Sequence, residues 1–383
     1  ASSDTDSGIA KYEYSIDGTT YYSSTNSTYT FTGLSVGTYT IYLRVTDKAE
    51  NIGNIDTQIA ITVPLTTTIT QLAATDTTNL ATDDYSNIRY IGKNPNNYVS
   101  IDGDIWRVIG VMKNIDDGSG NKEDRVKLIR SESIGNYSWY TSDYSVNRGW
   151  GINEWSQADL MKLLNPGYES ETVDGSLYWN SGSGTCYNDL NNSTTSCDFT
   201  SKGIKEKLKN MLGNAVWNTG SNGTNDFTSA SNGLTKHFYT YERSDNTGKI
   251  CSGGNYCNDT IERTTTWTGK VGLMYPSDYG YATSGGSTTD RATCLNKELY
   301  NWDGSSVSDC KNNDWLFNNS YQWTISPVAR SSNASNAFCV SSGGSVNDTL
   351  ALNNAGVRPV GYLLSNTSIQ SGDGSSGNPF ILS

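Results

Sequence analysis

The residues best suited to chemistry are seven cysteines and a single histidine. Cys186 and Cys197 flank a short polar stretch, Cys251 and Cys257 another, and Cys294 and Cys310 a third. None of these pairs has the Cys-x-x-Cys spacing of a zinc site, and His237 alone adds little to one. Sequence-local pairs inside Gly-, Ser- and Asn-rich loops fit disulfide staples, which form in an oxidising, extracellular setting. The alternative, six buried thiols, would call for apolar surroundings that these loops lack. Cys339 is left without a partner.

His237 follows Lys236 with no nucleophile close by in sequence. Triad partners can converge from distant positions, so sequence alone leaves that geometry open. The chain nevertheless has no Gly-x-Ser-x-Gly elbow, no phosphate-binding loop and no dinucleotide fingerprint. Paired carboxylates in a glycosidase context are also missing. The expectation is a protein that is not an enzyme and needs no cofactor. The run Asp116-Asp117-Gly118-Ser119-Gly120-Asn121, with Glu123 and Asp124, offers oxygens to calcium. Its spacing misses the helix–loop–helix calcium pattern, so a solvated hairpin loop is expected and no metal site is assigned.

Aromatic side chains give a second kind of chemistry, stacking. Trp139, Trp150 and Trp155, with Tyr137, Tyr140 and Tyr144, form a dense stretch that suits either a sugar or protein contact or an ordinary core. The segment 328–354 differs in character. Between Pro327 and Gly356 there is no Lys, Glu, Gln, Met or Trp. None of these types can be reached by replacing the two adenines of an AAC or AAT codon, whereas the residues present there can.

The elements that must position these residues fall into two modules. Residues 1–64 alternate polar and apolar positions: Lys11 to Ile16, a turn at Asp17-Gly18, and further runs over 29–32, 37–45 and 58–63. Short strands at regular spacing predict an all-β sandwich. Residues 65–84 are Thr-rich without a sustained period and read as a linker. In residues 85–383, the Tyr98–Ile101 run, the Asp102-Gly103 turn and the 105–111 run predict a hairpin, with 125–130 as the next strand. Helical periodicity appears twice, at Leu160, Leu163 and Leu164 behind a Ser156 cap, and at Ile204, Leu208, Met211 and Leu212.

Composition bounds the partners. The chain has 383 residues, 35% of them hydrophobic, and 25 Tyr and 10 Trp argue for a buried core rather than disorder. A formal charge of −12 disfavours nucleic acid and anionic headgroups. No stretch is apolar enough to span a bilayer, so direct membrane insertion is not expected. The opening Ala1-Ser2-Ser3-Asp4 lacks an initiator Met, as expected of a processed chain or a fragment of a longer anchored protein.

Two resemblances sharpen these readings. The runs Tyr12 to Gly18, Gly33-Leu34 to Tyr39, and Arg44 to Ala49 resemble immunoglobulin-like or fibronectin-III-like repeats of bacterial surface proteins. Trp323-Thr324-Ile325-Ser326-Pro327 and Gly356-Val357-Arg358-Pro359-Val360 bracket the adenine-reachable segment. Together they resemble variable proteins of diversity-generating retroelements, which have a C-type-lectin fold of the formylglycine-generating-enzyme type. The resemblance implies an α+β C-type-lectin-like domain with two helices and long disulfide-stapled loops. It makes Ala337, Val340, Gly344, Val346 and Arg358 framework, with 328–354 as a candidate variable region. The implied ligand-binding positions are Val328, Arg330, Phe338, Cys339, Ser341, Gly343, Ser345, Asp348, Thr349, Leu350, Leu352 and Asn353. Cys339 would then be one random draw at a diversified position. The sequence departs from the formylglycine-generating enzymes in lacking a second cysteine for Cys339, and from calcium-dependent lectins in lacking their Pro-containing triplets.

The implied function is binding of a protein or glycan ligand on another surface, at a bacterial cell surface or phage particle. The competing reading is an adhesin or lectin with a fixed site in the aromatic 136–155 stretch or the disulfide loops.

Overall fold

The computed structural model describes residues 8–32, 37–61, 63–141, 151–171, 173–222, 227–245, 261–329 and 335–383. The Cys251 and Cys257 pair, Arg330, Tyr144 and Trp150 lie outside the described residues.

In the first module, strands Ile9–Ser15, Tyr22–Ser24, Gly37–Asp47 and Ile52–Ile61 form one four-stranded antiparallel sheet. The expected turn after Ser15 is present. The Asp17 carboxylate accepts from the Thr19 and Thr20 amides, 2.7 Å each, and these bonds hold its pKa below the ordinary carboxylate range. Tyrosines contribute to the packing: Tyr14 and Tyr22 both stack on Tyr29 with centroids 5.6 Å apart, and Tyr14 is buried. The second sheet of a sandwich is not among the described residues.

Residues 65–84, expected as a linker, are instead part of the second module. Strand Val63–Pro64 pairs with strand Ser368–Ser371, and helix Leu65–Leu72 follows at once. Leu65 and Ile69, one turn apart, are fully buried in the main core, and strand Leu80–Thr82 pairs with strand Ile88–Tyr90. The Thr-rich composition hid this because two aliphatic anchors suffice to dock a two-turn helix against a sheet.

The main sheet has ten strands. Its path runs from Val271–Gly272 through Val360–Tyr362, Lys122–Arg130, Asp104–Asp116, Tyr98–Ile101, Phe380–Leu382 and Ser368–Ser371 to Val63–Pro64. The predicted hairpin is there, with Asp102 and Gly103 at φ 49° and 86° as a tight two-residue turn requires. Strand Asp104–Asp116 also pairs with Ile88–Tyr90, and Gly110 is where that crowding is met. A Cβ there would lie 2.0 Å from the Ile88 carbonyl oxygen.

A second sheet of five strands runs Asn136–Ser138, Asn354–Gly356, Gln322–Pro327, Asn336–Val340, Val346–Leu350. The two expected helices appear as Asp159–Leu164 and Glu206–Met211, each shorter than predicted. Ser156 is not the cap of the first; Glu154 caps the preceding turn through the Ser156 amide. Helices Thr235–Glu242, Pro276–Tyr281, Arg291–Leu295 and Ser308–Asn312 were not foreseen. The protein is β-rich with short helices. Two of the expected staples are present: Cys186–Cys197 across the hairpin Ser183–Tyr187/Thr194–Asp198, and Cys294–Cys310 between the last two helices.

Candidate ligand-binding site

The five-stranded sheet carries most of the expected ligand positions. Strand Gln322–Pro327 is buried along its whole length. Strand Asn336–Val340 lies between it and Val346–Leu350, in the register Phe338↔Asp348 and Cys339↔Asn347. An interior strand whose two faces are both covered cannot display side chains.

Several expected ligand positions are therefore corrected. Phe338 is 1% exposed, packed edge-on against Phe227 and Phe238 with centroids 5.1 and 5.2 Å away. Cys339 is equally buried, and burial first, then the nearby Asp348, pushes its thiol pKa up to about 12. It is a small core residue, not a reactive or displayed thiol. Val328 is buried, and its backbone bonds Asn336 and the Asn153 amide. Ser341 and Ser345 are buried and share a 2.8 Å hydroxyl–hydroxyl bond that closes the turn between the strands. That turn is fastened from outside by Lys311 on the Gly343 carbonyl and by the Tyr279 hydroxyl on the Gly344 carbonyl.

The rest of the expected positions that are described do reach solvent. Asp348, Thr349, Leu350, Leu352 and Gly343 are half-buried, and Asn353 is exposed. Gly343 lies in the turn before the last strand of the sheet, and the others line that strand and the turn after it. Their side chains are held in advance: Asn336 donates to the Asp348 carboxylate at 2.9 Å, and Asn353 to the Thr349 hydroxyl at 2.7 Å. Arg358, read as framework, is buried and donates to the carbonyls of Arg130 and Leu316 and to the Gln322 amide oxygen.

The aromatic stretch lies mostly inside. Trp139 and Trp155 are fully buried 5.2 Å apart, and Trp139 donates its indole N–H to the Thr324 carbonyl. Tyr137 and Tyr140 are half-buried. His237 has its Nδ1 buried without a hydrogen-bond partner, and burial, with Lys236 beside it, lowers its pKa, so the ring is neutral near pH 7.

Sequence reasoning missed a buried ionic network between the main sheet and helix Pro276–Tyr281. Arg89 pairs with Asp83 at 2.8 Å and Asp278 at 2.6 Å, and Asp278 also accepts from Lys127. Burial works against the Asp278 charge, but the Lys127 and Arg89 cations outweigh it and hold the pKa down at about 2. The signal was Lys127 set directly between Val126 and the Leu128-Ile129 pair, in the buried run of its strand. Because every charge is spent on another, the network is a brace rather than a catalytic set.

Residues 3–63 match the family model described as the Y_Y_Y domain, a type associated with immunoglobulin-like modules of bacterial surface proteins. That module and the disulfides are features of a protein outside the cytoplasm. No curated protein and no solved structure matches the chain. Among the described residues, no helix is long and apolar enough to cross a membrane.

Proposed function

We propose that the second module is a non-covalent binding domain of an extracellular protein, contacting a protein or glycan through the edge strand Val346–Leu350 and the turn after it. The observation that carries this is the contrast between the two paired strands. Phe338 and Cys339 are locked in the core, while their neighbours Asp348, Thr349 and Leu350 reach solvent on a pre-bonded frame. Such a strand can change its outward residues at little cost in stability, and function tends to sit on such positions. Leu350 and Leu352 supply apolar contact, and Asp348 and Asn353 supply polar selectivity.

The same contrast refines the resemblance to retroelement-diversified proteins. Variation belongs at Gly343, Asp348, Thr349, Leu350, Leu352 and Asn353, and not at Val328, Phe338, Cys339, Ser341 or Ser345. Sequencing the encoding locus across a natural population tests this. Substitutions concentrated at the solvent-reaching codons, on template adenines, support a diversified binder. A segment as constant as the Tyr98–Val111 hairpin refutes it and leaves an adhesin with a fixed ligand.

A further inference from the structure

A cleft of about 410 Å³ opens where the paired strands Asp104–Asp116 and Lys122–Arg130, helix Thr235–Glu242 and strand Ala215–Asn218 meet. It shares no residue with the edge strand. A volume of this size lies within the range of small-molecule sites. One wall is Tyr239, whose ring stacks on Tyr85 with centroids 3.8 Å apart. The Arg243 guanidinium carbon lies over the Tyr239 ring, 3.4 Å from its centroid. Among the described residues, only its Nη1 donates to the protein, to the Tyr239 carbonyl and to Glu242. The Nε–Nη2 edge, the geometry that grips a carboxylate in two bonds, is unclaimed by any described residue.

The cleft is lined by three cations, Lys113, Lys122 and Arg243, against one carboxylate, Asp116, whose Oδ1 takes the Gly118 and Gly120 amides. Lys113 is engaged by Asp124 at 2.7 Å. The exposed Lys122 ammonium and the Asn218 side chain make no hydrogen bond among the described residues, and the Tyr239 hydroxyl accepts from Asn87 with its own proton uncommitted. The surplus is of donors around an aromatic wall, within a chain that is acidic overall.

We propose that this cleft binds an acidic sugar of the uronic-acid class, its carboxylate on Arg243 and Lys122 and its hydroxyls on Asn218 and Tyr239. The paired geometry of Arg243 selects a planar carboxylate, and the neutral donors beside it select a hydroxyl-bearing body. The site is independent of the edge strand, so either can fail alone.

The test is calorimetric titration of the whole chain with D-glucuronate, D-glucose, acetate and inorganic phosphate, each to about 10 mM, where a millimolar site is largely filled. Saturable binding of glucuronate alone is expected, weakened at least tenfold in Lys122→Glu and retained in Lys122→Arg. Lys122 is exposed, so neither substitution threatens the fold. Absence of glucuronate binding, equal binding of glucose, equal binding of phosphate or acetate, or full affinity in Lys122→Glu would each overturn the assignment.

Discussion

Replacing Asp174 by Asn should stabilise the second module, and more so as the pH rises. Asp174 is 2% exposed at a left-handed backbone position, φ 66°. It fastens its loop to the disulfide hairpin: its amide donates to the Thr185 carbonyl, and its Oδ1 accepts from the Tyr187 amide. Its Oδ2 is buried with no hydrogen-bond partner. Burial first, then the neighbouring Asp159, pushes its pKa up to about 8. In the unfolded chain the same carboxyl titrates at the ordinary value near 3.8. Below that value both states are protonated and the group favours neither. Above it the unfolded chain ionises and the folded one does not, so stability falls by about 1.4 kcal/mol per pH unit until pH 8.

Over that window the loss is on the order of 5 kcal/mol as an upper bound. Asn keeps the acceptor for the Tyr187 amide, tolerates the left-handed backbone and never ionises. The expected gain is roughly 3–5 kcal/mol at pH 8 and close to zero at pH 4. All ten Trp lie at or beyond Trp106, so tryptophan fluorescence during urea unfolding reports the second module alone. Unfolding curves for both proteins between pH 4 and 8 should converge at the acid end and separate steadily above it. Parallel curves would refute the reasoning, because they would mean that the Asp174 carboxyl is solvated in the folded state.

Two further substitutions separate frame from face. Phe338→Ala should cost about 3–5 kcal/mol in the same urea assay, whereas Asp348→Ala, half-exposed on the partner strand, should cost less than about 1 kcal/mol. Similar losses for both would contradict the distinction between the two strands. Asp278→Asn removes the carboxylate shared by Arg89 and Lys127 and should destabilise by about 3–5 kcal/mol, since a buried cation loses its partner. An unchanged midpoint would mean that water reaches the network.

Much of the frame was legible where local chemistry dictates local structure. Asp102-Gly103 announced the hairpin because only a few residues accept two successive positive φ values. The Cys186 and Cys294 pairings followed from spacing in polar loops. The helices of five to eight residues from Thr235 onward were invisible, since elements of one or two turns have too few positions to establish a period and depend on tertiary packing. Burial was the least legible property. Phe338 and Asp348 sit opposite each other, and nothing in the run from Ala337 to Leu350 tells which strand lies inside the sheet. The Asp278 network was hidden for a related reason, as its members are separated by up to 195 positions, from Asp83 to Asp278.

The way the second module begins and ends sets how it bears load. Strand Ser368–Ser371 lies antiparallel between Val63–Pro64 and Phe380–Leu382, so those two outer strands run parallel to each other. Ser368 and Ser383 exchange two backbone bonds at that seam, and the Leu65 amide adds one to Thr367. Tension applied between Pro64 and Ser383 pulls the outer strands in opposite directions along their own axes. Backbone bonds run across strands, so such a pull shears the group of bonds together instead of opening them one by one. The force passes through three neighbouring strands and bypasses the sheet that carries Asp348. Load applied this way would leave the proposed binding face undistorted.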